Sequence, residues 1–164
     1  MEITVRPFRP DEASVLGAIR LEALADTPGA FAEQHDVAVA MGGEDFTAHL
    51  AASAAWGVFL DRRCVGMAIL ARHVGTNVAH RATVGCVYIA PGARGSGAAR
   101  TLFQTLIGQA RVAGIEILQL AVGDFNARAR QLYQNMGFVP YAVEPKALKL
   151  GERYIDEIWM ALEL

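Results

Sequence analysis

The spacing of hydrophobic positions along the chain switches between a period of two residues and a period near 3.6, which predicts strands and helices in alternation. Strand-like patterns fall at residues 3–8, 56–60, 64–72, 83–89, 115–122, 138–144 and 154–162. Helical patterns fall at about 10–25, 44–55, 97–113 and 126–136. The order β-α-α-β-β-β-α-β-α-β-β predicts an α/β (α+β) fold with a mixed, mostly antiparallel central sheet and helices on both faces.

Capping and turn residues set the boundaries of these elements. Asp11 is expected to cap the first helix, and residues 61–63 form a hairpin turn between two strands. The helix at 44–55 is expected to bury Phe46 and Leu50. Residues 30–43 are expected to form a loop with a short helical turn, and residues 73–81 a polar connection. The last two strands are expected to be separated by a connection that contains Pro, Lys and Gly.

The composition is that of a globular protein and excludes several classes of function. The chain has 164 residues, 53% hydrophobic and 20% charged, which predicts one domain over residues 1–164. The net charge of −2 and pI near 6.1, with no cluster of basic residues, disfavour nucleic-acid binding. No apolar run is long enough to span a bilayer, and residues 1–6 lack the pattern of a secretion signal.

The two cysteines, Cys64 and Cys86, both fall in strand-like segments. We expect reduced core residues of a cytoplasmic protein rather than a disulfide, although a close pair remains an alternative.

A glycine-containing loop between a strand and a helix is the strongest candidate for chemistry. The strand ends near Pro91, and the segment Arg94-Gly95-Ser96-Gly97 leads directly into an amphipathic helix. First-turn amides of a helix have no intrahelical partner, and the helix dipole favours an anion there. Gly95 and Gly97 permit close approach, and Arg94 and Arg100 add positive charge. The alternative is an ordinary turn before a helix.

A second segment, about thirty residues later, favours the functional interpretation. Residues 126–138 form one short helix, with Asn126 placed to cap its start and Gly137 to end it. Its sequence is Asn-Ala-Arg-Ala-Arg-Gln-Leu-Tyr-Gln-Asn-Met-Gly-Phe. Together, the loop and this helix resemble the GNAT family of acetyl-CoA-dependent N-acetyltransferases, whose motifs read Arg/Gln-x-x-Gly-x-Gly/Ala and Asn-x-x-Ala-x-x-Leu-Tyr-x-x-x-Gly-Phe. The resemblance extends over the whole predicted order of elements.

The resemblance implies an acetyl-CoA site between two central parallel strands that separate at their carboxyl ends. The residues implied to bind this cofactor are Val87, Tyr88, Ile89, Arg94, Gly95, Ser96, Gly97, Ala98, Ala99, Arg100 and Asn126. An N–H group of Val87 or Ile89 would stabilise the oxyanion. Tyr133 would protonate the departing sulfur, although it could instead be a core aromatic residue. No metal is implied.

The general base is less evident from the sequence. Many GNAT relatives carry a glutamate early in the strand before the loop, whereas residues 82–86 contain no carboxylate here. The candidates are His80, Glu33, Asp156 and Glu157, a water bound to one of them, or no dedicated base. A covalent relay through Cys86 is disfavoured, because no histidine is adjacent to it in sequence.

We therefore expect transfer of the acetyl group of acetyl-CoA to a primary amine of a small molecule or peptide, by direct attack in a ternary complex. The acceptor would contact the first helical region, Phe31, Glu33, His35, the 73–81 connection and the final hairpin. The alternative is a non-catalytic acyl-CoA sensor, while a nucleotide-binding domain would need glycine motifs that are absent. The protein would act as a monomer or homodimer, without nucleic acid or membrane partners.

Overall fold

The computed structural model describes residues 2–32, 38–39 and 54–164, and within them one seven-stranded sheet forms the centre of the fold. The strands are β1 Ile3–Pro7, β2 Ala54–Leu60, β3 Arg63–Arg72, β4 Arg81–Ile89, β5 Ile117–Gly123, β6 Val139–Leu150 and β7 Arg153–Glu163. The helices are α1 Ala13–Asp26, α2 Ala98–Val112 and α3 Ala127–Asn135. The sheet order is β1-β2-β3-β4-β5-β7-β6, and all neighbours are antiparallel except β4 and β5. The predicted fold class is confirmed.

The two faces of the sheet are covered by different helices. Strand residues such as Ala82 and Val84 pack with the apolar stripe of α2 and with Tyr133 of α3. The opposite face carries Tyr88, which packs in a second cluster with Leu16 and Ile19 of α1. Val84 and Tyr88 are an even number of residues apart and would share a face of a regular strand, so an irregularity in β4 between them places Tyr88 on the α1 side.

Turn residues have the backbone conformations that the sequence favours. Asp61 and Arg62 both have positive φ, at 46° and 75°, as a two-residue turn between β2 and β3 requires. Gly114 and Gly137 have φ of 73° and 98°, beyond the ends of α2 and α3. These hairpin and helix-end predictions are confirmed.

The parallel pairing of β4 with β5 is short, and the two strands then separate. Pairing extends from Arg81–Ile117 to Thr83–Gln119, and no later residue of β4 pairs with β5 in the described structure. The β3–β4 register shifts between Met67 and Ile69, where Cys86 has a φ of 50°. This combination is a β-bulge, which bends a strand and increases its twist. The expected parallel neighbours and their separation are both observed.

The start of the first helix differs from the prediction. A short 3₁₀ turn at Pro10–Glu12 precedes α1, and the Glu12 carboxylate accepts the Arg9 N–H at 2.9 Å. The Asp11 carboxylate instead accepts from Nε of Arg9. The prediction of Asp11 as the cap was therefore wrong. In this turn, the side chain that returns to the free N–H of Arg9 is that of Glu12, three positions later, and not that of Asp11, two positions later.

The connection expected before the final strand is also different. β6 continues to Leu150, with a register shift between Glu144 and Leu148, and only residues 151 and 152 turn the chain. Pro145 is tolerated because it lies in the irregular part of an edge strand. Lys146 has a φ of 54°, and its N–H donates to the Asp156 carboxylate at 2.7 Å. A side chain of β7 thus replaces the missing ladder bond.

Three remaining points concern predictions about the rest of the chain. The predicted helix at 44–55, with Phe46 and Leu50, lies outside the described residues except at its end, where β2 begins. Cys64 and Cys86 are not joined by a disulfide, and the Cys86 sulfur accepts a hydrogen bond from Arg20. None of the described helices is both long and apolar enough to cross a membrane.

One ion pair joins β1 to the start of α1. Arg6 donates to both oxygens of Glu12, at 2.7 and 2.8 Å, and Glu12 is only 8% exposed. The Arg6 hydrogen bonds and the Arg9 amide lower the Glu12 pKa to about 2. Glu12 therefore contributes stability that is complete above the unfolded-state pKa near 4.5 and is lost as the pH falls towards 2.

Replacing Glu12 with Gln (E12Q) should lower the free energy of unfolding by about 2 kcal/mol at pH 7, because Arg6 loses its charged partner. The difference from the wild type should shrink as the pH falls from 5 to 2. Urea titrations at a series of pH values measure it, with Asp11→Asn as the matched control. A difference that does not change with pH would contradict this assignment.

Candidate functional site

A cleft of about 460 Å³ opens where β4 and β5 separate. Its walls come from the carboxyl end of β4, from the glycine loop (residues 91–97), and from the first turns of α2 and α3. It is lined by Thr27, Ala30, Phe31, Val87, Tyr88, Ile89, Ala93, Arg94, Gly95, Gly97, Ala98, Ala99, Arg100, Phe125, Asn126, Arg128, Ala129, Leu132 and Tyr133. Ligands of sheet proteins usually bind in such a gap, beyond the carboxyl ends of the strands. Of the predicted site residues, only Ser96 is absent from this lining.

The glycine loop leaves several main-chain donors free. Ser96 uses its polar groups within the loop: its N–H and its hydroxyl donate to the Ala93 carbonyl, and the hydroxyl oxygen accepts from the Ala98 N–H at 3.3 Å. In the described structure the N–H groups of Gly95, Gly97, Ala99 and Arg100 have no acceptor. They lie in the loop and in the first turn of α2, where the helix dipole favours an anion. The loop can therefore bind a phosphate-like group with four amides rather than six.

The positive charges at the cleft differ in how they are neutralised. Arg94 pairs with Asp26 at the end of α1 and donates to the Ile89 carbonyl at 2.9 Å. Its guanidinium therefore joins α1 to the glycine loop. Arg100 and Arg128 are exposed and make no ion pair within the described part of the chain. Arg128 lies in the first turn of α3, where a cation is unfavourable unless an anion is nearby.

The free edge of β4 provides main-chain groups along one side of the cleft. The Ala90 N–H donates to the Val65 carbonyl of β3, so the main-chain N–H and C=O groups of Tyr88 also face β3. Because these groups alternate in direction along a strand, the main-chain groups of Val87 and Ile89 face the gap towards β5. The Ile89 carbonyl is occupied by Arg94, while both N–H groups remain available to a ligand.

Asn126 and Tyr133 lie on the opposite wall, on α3. The side-chain oxygen of Asn126 accepts the Ala129 N–H at 3.1 Å, which confirms the predicted cap and leaves the side-chain NH₂ without a partner among the described residues. The Tyr133 ring is 6% exposed and packs 5.1 Å from Phe103. Its hydroxyl makes no hydrogen bond to a described residue, and burial raises its pKa above the usual range for tyrosine. The phenol is therefore protonated at neutral pH.

The candidate bases are not all near the cleft. Glu33, with His35, lies outside the described residues. His80 precedes the first residue of β4, on the order of 25 Å from its carboxyl end. Asp156 accepts the Lys146 N–H. Glu157 of β7 is the strand partner of Gly123 of β5. Burial, and next the nearby Glu144 charge, raise the pKa of Glu157.

Sequence reasoning missed two side chains, Arg128 in the cleft lining and His73 outside it. Arg128 had a local signal, since a cation in the first turn of a helix opposes the dipole. His73 had none, because residues 73–81 read only as a polar connection. In the structure His73 Nε2 lies 2.9 Å from the Thr83 hydroxyl. Only the pairing of β3 with β4 brings these two residues together.

Comparisons with known proteins agree with this geometry. A profile of the Acetyltransferase (GNAT) family matches residues 18–138. The chain is 40% identical over 65 residues to the mycothiol acetyltransferase of Beutenbergia cavernae, covering 38% of this chain and 22% of that protein. It is 32% identical over 78 residues to the L-amino acid N-acyltransferase MnaT of Escherichia coli, covering 48% of this chain and 45% of that protein. The matches thus span less than half the length of each relative.

A solved structure supports the fold over the full length. It is yncA from Salmonella typhimurium, described as a putative acetyltransferase with its cofactor acetyl-CoA. The TM-score is 0.83 at 21% identity, over 100% of this chain and 95% of that one.

Gly97 has a φ of 93° and open space around an added Cβ, so Gly97→Ala introduces backbone strain without a clash. The substitution should destabilise the protein by about 1 kcal/mol. It should also weaken pyrophosphate binding about tenfold by moving the loop amides, equivalent to about 1.4 kcal/mol. Thermal unfolding and calorimetric titration with pyrophosphate measure the two effects.

Gly92→Ala is the matched control, because Gly92 is also in the loop, has open space, and does not have a positive φ. Equal pyrophosphate affinity in the two variants would show that the loop amides are not the anion site.

Proposed function

This chain belongs to the GNAT family of acetyltransferases, and we propose from that premise that it transfers the acetyl group of acetyl-CoA to a primary amine. The acceptor is a small molecule or a peptide, and it attacks the thioester directly in a ternary complex. The observation that carries the proposal is the cleft itself. One continuous space is bordered by free loop amides, by the unpaired edge of β4 and by the Tyr133 phenol.

The diphosphate of acetyl-CoA would bind at the glycine loop. The free N–H groups of Gly95, Gly97, Ala99 and Arg100 would donate to its oxygens. The Arg100 and Arg128 side chains would supply the countercharge, since neither has an ion pair of its own in the described structure. Arg94 would act differently, by fixing the loop to α1 through Asp26.

The pantetheine arm would lie along β4 as an added strand. Val87 and Ile89 offer main-chain groups towards the gap, and such groups can pair with the amides of the arm. Across the gap, the free NH₂ of Asn126 can donate to a pantetheine carbonyl. This arrangement would place the thioester near the bulge in β4.

The chemical step needs an oxyanion donor and a proton for sulfur. The N–H of Val87 or Ile89 would stabilise the negative charge that develops on the thioester oxygen. The amine nitrogen forms its bond to carbon, the carbon–sulfur bond breaks, and the phenol of Tyr133 donates its proton to the leaving thiolate. The raised pKa of Tyr133 suits this role, because the acid form persists at neutral pH.

Two further aspects follow from the same proposal. The sheet runs without interruption from β1 to β6, which supports one domain over residues 1–164. Cys64 and Cys86 are not joined by a disulfide, which supports work in a reducing compartment such as the cytoplasm.

The second candidate function is an acyl-CoA sensor without turnover. One observation favours it: β4 carries no carboxylate that could deprotonate an acceptor. The sensor would use the same loop amides and the same β4 edge, but not the Tyr133 phenol.

Acetyl-CoA should be incubated with a panel of amines, amino acids, aminoglycosides and peptides while thiol release is followed. Tyr133→Phe should lower kcat by about 100-fold or more, because sulfur then leaves as an unprotonated thiolate. Acetyl-CoA affinity, measured by calorimetry, should not change. Tyr154→Phe is the matched control, since Tyr154 is exposed on β7 and does not line the cleft.

Cys86→Ser should retain turnover, whereas an acetyl-cysteine relay would lose it. Tight binding of acetyl-CoA without thiol release from any acceptor would favour the sensor. Absence of acetyl-CoA binding would contradict both functions.

A further inference from the structure

On the face of β4 that points towards α1, the described residues leave a space. Thr83 is the last residue of β4 paired with β5, and Gly85 follows on the same face. An added Cβ at Gly85 would meet no atom of the described residues within 4 Å, so this part of the structure leaves room for another group. The space lies between Thr83 and the bulge at Cys86, directly before the strand residues that line the cleft.

A histidine is fixed beside this space. The His73 N–H donates to the Arg81 carbonyl at 3.1 Å, which fixes the backbone of His73 against the start of β4. Its Nε2 lies 2.9 Å from the Thr83 hydroxyl, and the pair is partly buried. In the tautomer with hydrogen on Nδ1, Nε2 accepts the hydrogen of that hydroxyl. The hydroxyl oxygen then keeps its lone pairs for a donor in the space above Gly85.

We propose that Thr83 and His73 form a proton relay for the acceptor amine, with Thr83 as the contact and His73 as the final proton acceptor. This inference rests on the proposed acetyltransferase function. It also defines the class of acceptor, which is a primary amine that arrives protonated, as an ammonium ion. An ammonium donates hydrogen bonds only, and the Thr83 oxygen is placed to accept one.

Each proton that moves in the reaction has a donor and an acceptor. The ammonium gives one proton to the Thr83 oxygen while the Thr83 hydroxyl hydrogen moves to His73 Nε2, leaving a neutral amine and an imidazolium. The amine lone pair forms the bond to the thioester carbon, the carbon–sulfur bond breaks, and sulfur takes the proton of Tyr133. The second proton of the nitrogen returns through solvent to the Tyr133 oxygen. The imidazolium releases its proton to solvent.

The other candidate bases fit less well. The His80 side chain makes no hydrogen bond to a described residue of β4. Asp156 accepts the Lys146 N–H. Glu157 is on β7, and β5 lies between β7 and β4 in the sheet. Of these groups, only Thr83 lies on β4 at the last residue paired with β5, and His73 is hydrogen-bonded to it.

The charged and titratable groups around the pair are held by other partners. Arg72, next to His73 in the chain, donates to the Ala113 carbonyl. Arg81 of β4 donates to Gln119 of β5 at 2.6 Å, and Gln119 in turn donates to the Tyr141 hydroxyl of β6.

The test uses two probes of nearly equal size, ethylamine and methoxyamine. At pH 7 ethylamine is almost entirely protonated, whereas methoxyamine is neutral and needs no base. His73→Ala should lower kcat/KM for ethylamine by about 100-fold, with its rate recovering as the assay pH rises and free amine becomes available. The same variant should keep its wild-type rate with methoxyamine and its affinity for acetyl-CoA.

Thr83 gives an independent arm. Thr83→Val should reproduce the selective loss on ethylamine, and Thr83→Ser should retain the wild-type rate because it keeps the hydroxyl. His80→Ala is the control histidine and should leave both rates unchanged.

Equal losses on the two probes would show a structural role for His73 and overturn the relay, as would a wild-type rate with ethylamine in His73→Ala. A wild-type protein that acetylates neither probe nor any amine of the panel would overturn the proposed function itself.

Discussion

The parallel ladder between β4 and β5 ends after three residue pairs, and the cleft exists because of that ending. Buried main-chain N–H and C=O groups must be hydrogen-bonded. Beyond Thr83, the main-chain groups of β4 that face β5 have no partner in the described sheet. The bulge at Cys86 bends β4 at this point, and a non-glycine residue at a φ of 50° is a conformation that costs free energy. Such strain persists where the surrounding structure enforces it, here through the β3 ladder on the other edge of β4.

The arginines at the glycine loop differ in whether a carboxylate of the protein neutralises them. Arg94 is neutralised by Asp26, so that this ion pair serves structure and ties the end of α1 to the loop. Arg100 and Arg128 keep their charge available beside the free amides. The cleft therefore has a rigid side and an anion-attracting side. The same helix that holds the loop also contacts β4, since Glu22 of α1 accepts from the Tyr88 hydroxyl.

Local chemistry explains which parts of the fold were predictable. The alternation along β4 and the stripe of α2 are strong periodic signals, and Gly114 and Gly137 end helices for a reason that involves no distant residue. The prediction of a strand end failed where a hydrogen-bond partner distant in the sequence determines the local structure. The N–H of Lys146 is satisfied by Asp156 of the facing strand, so the expected connection became part of β6. Likewise, a turn geometry, not residue preference, selected Glu12 over Asp11.

The sequence by itself determined the order of the elements that the structure describes, the glycine loop and the Asn126 helix, because each depends on periodicity, capping or backbone freedom within a few residues. It also placed Tyr133 on that helix. It did not predict that the Tyr133 hydroxyl makes no hydrogen bond to a described residue. The tertiary structure alone decided that Arg94 pairs with Asp26 of α1 and that His73 meets Thr83. These contacts join residues through strand register and helix packing, and the geometry of a folded sheet is not encoded in the spacing of residues along any one segment.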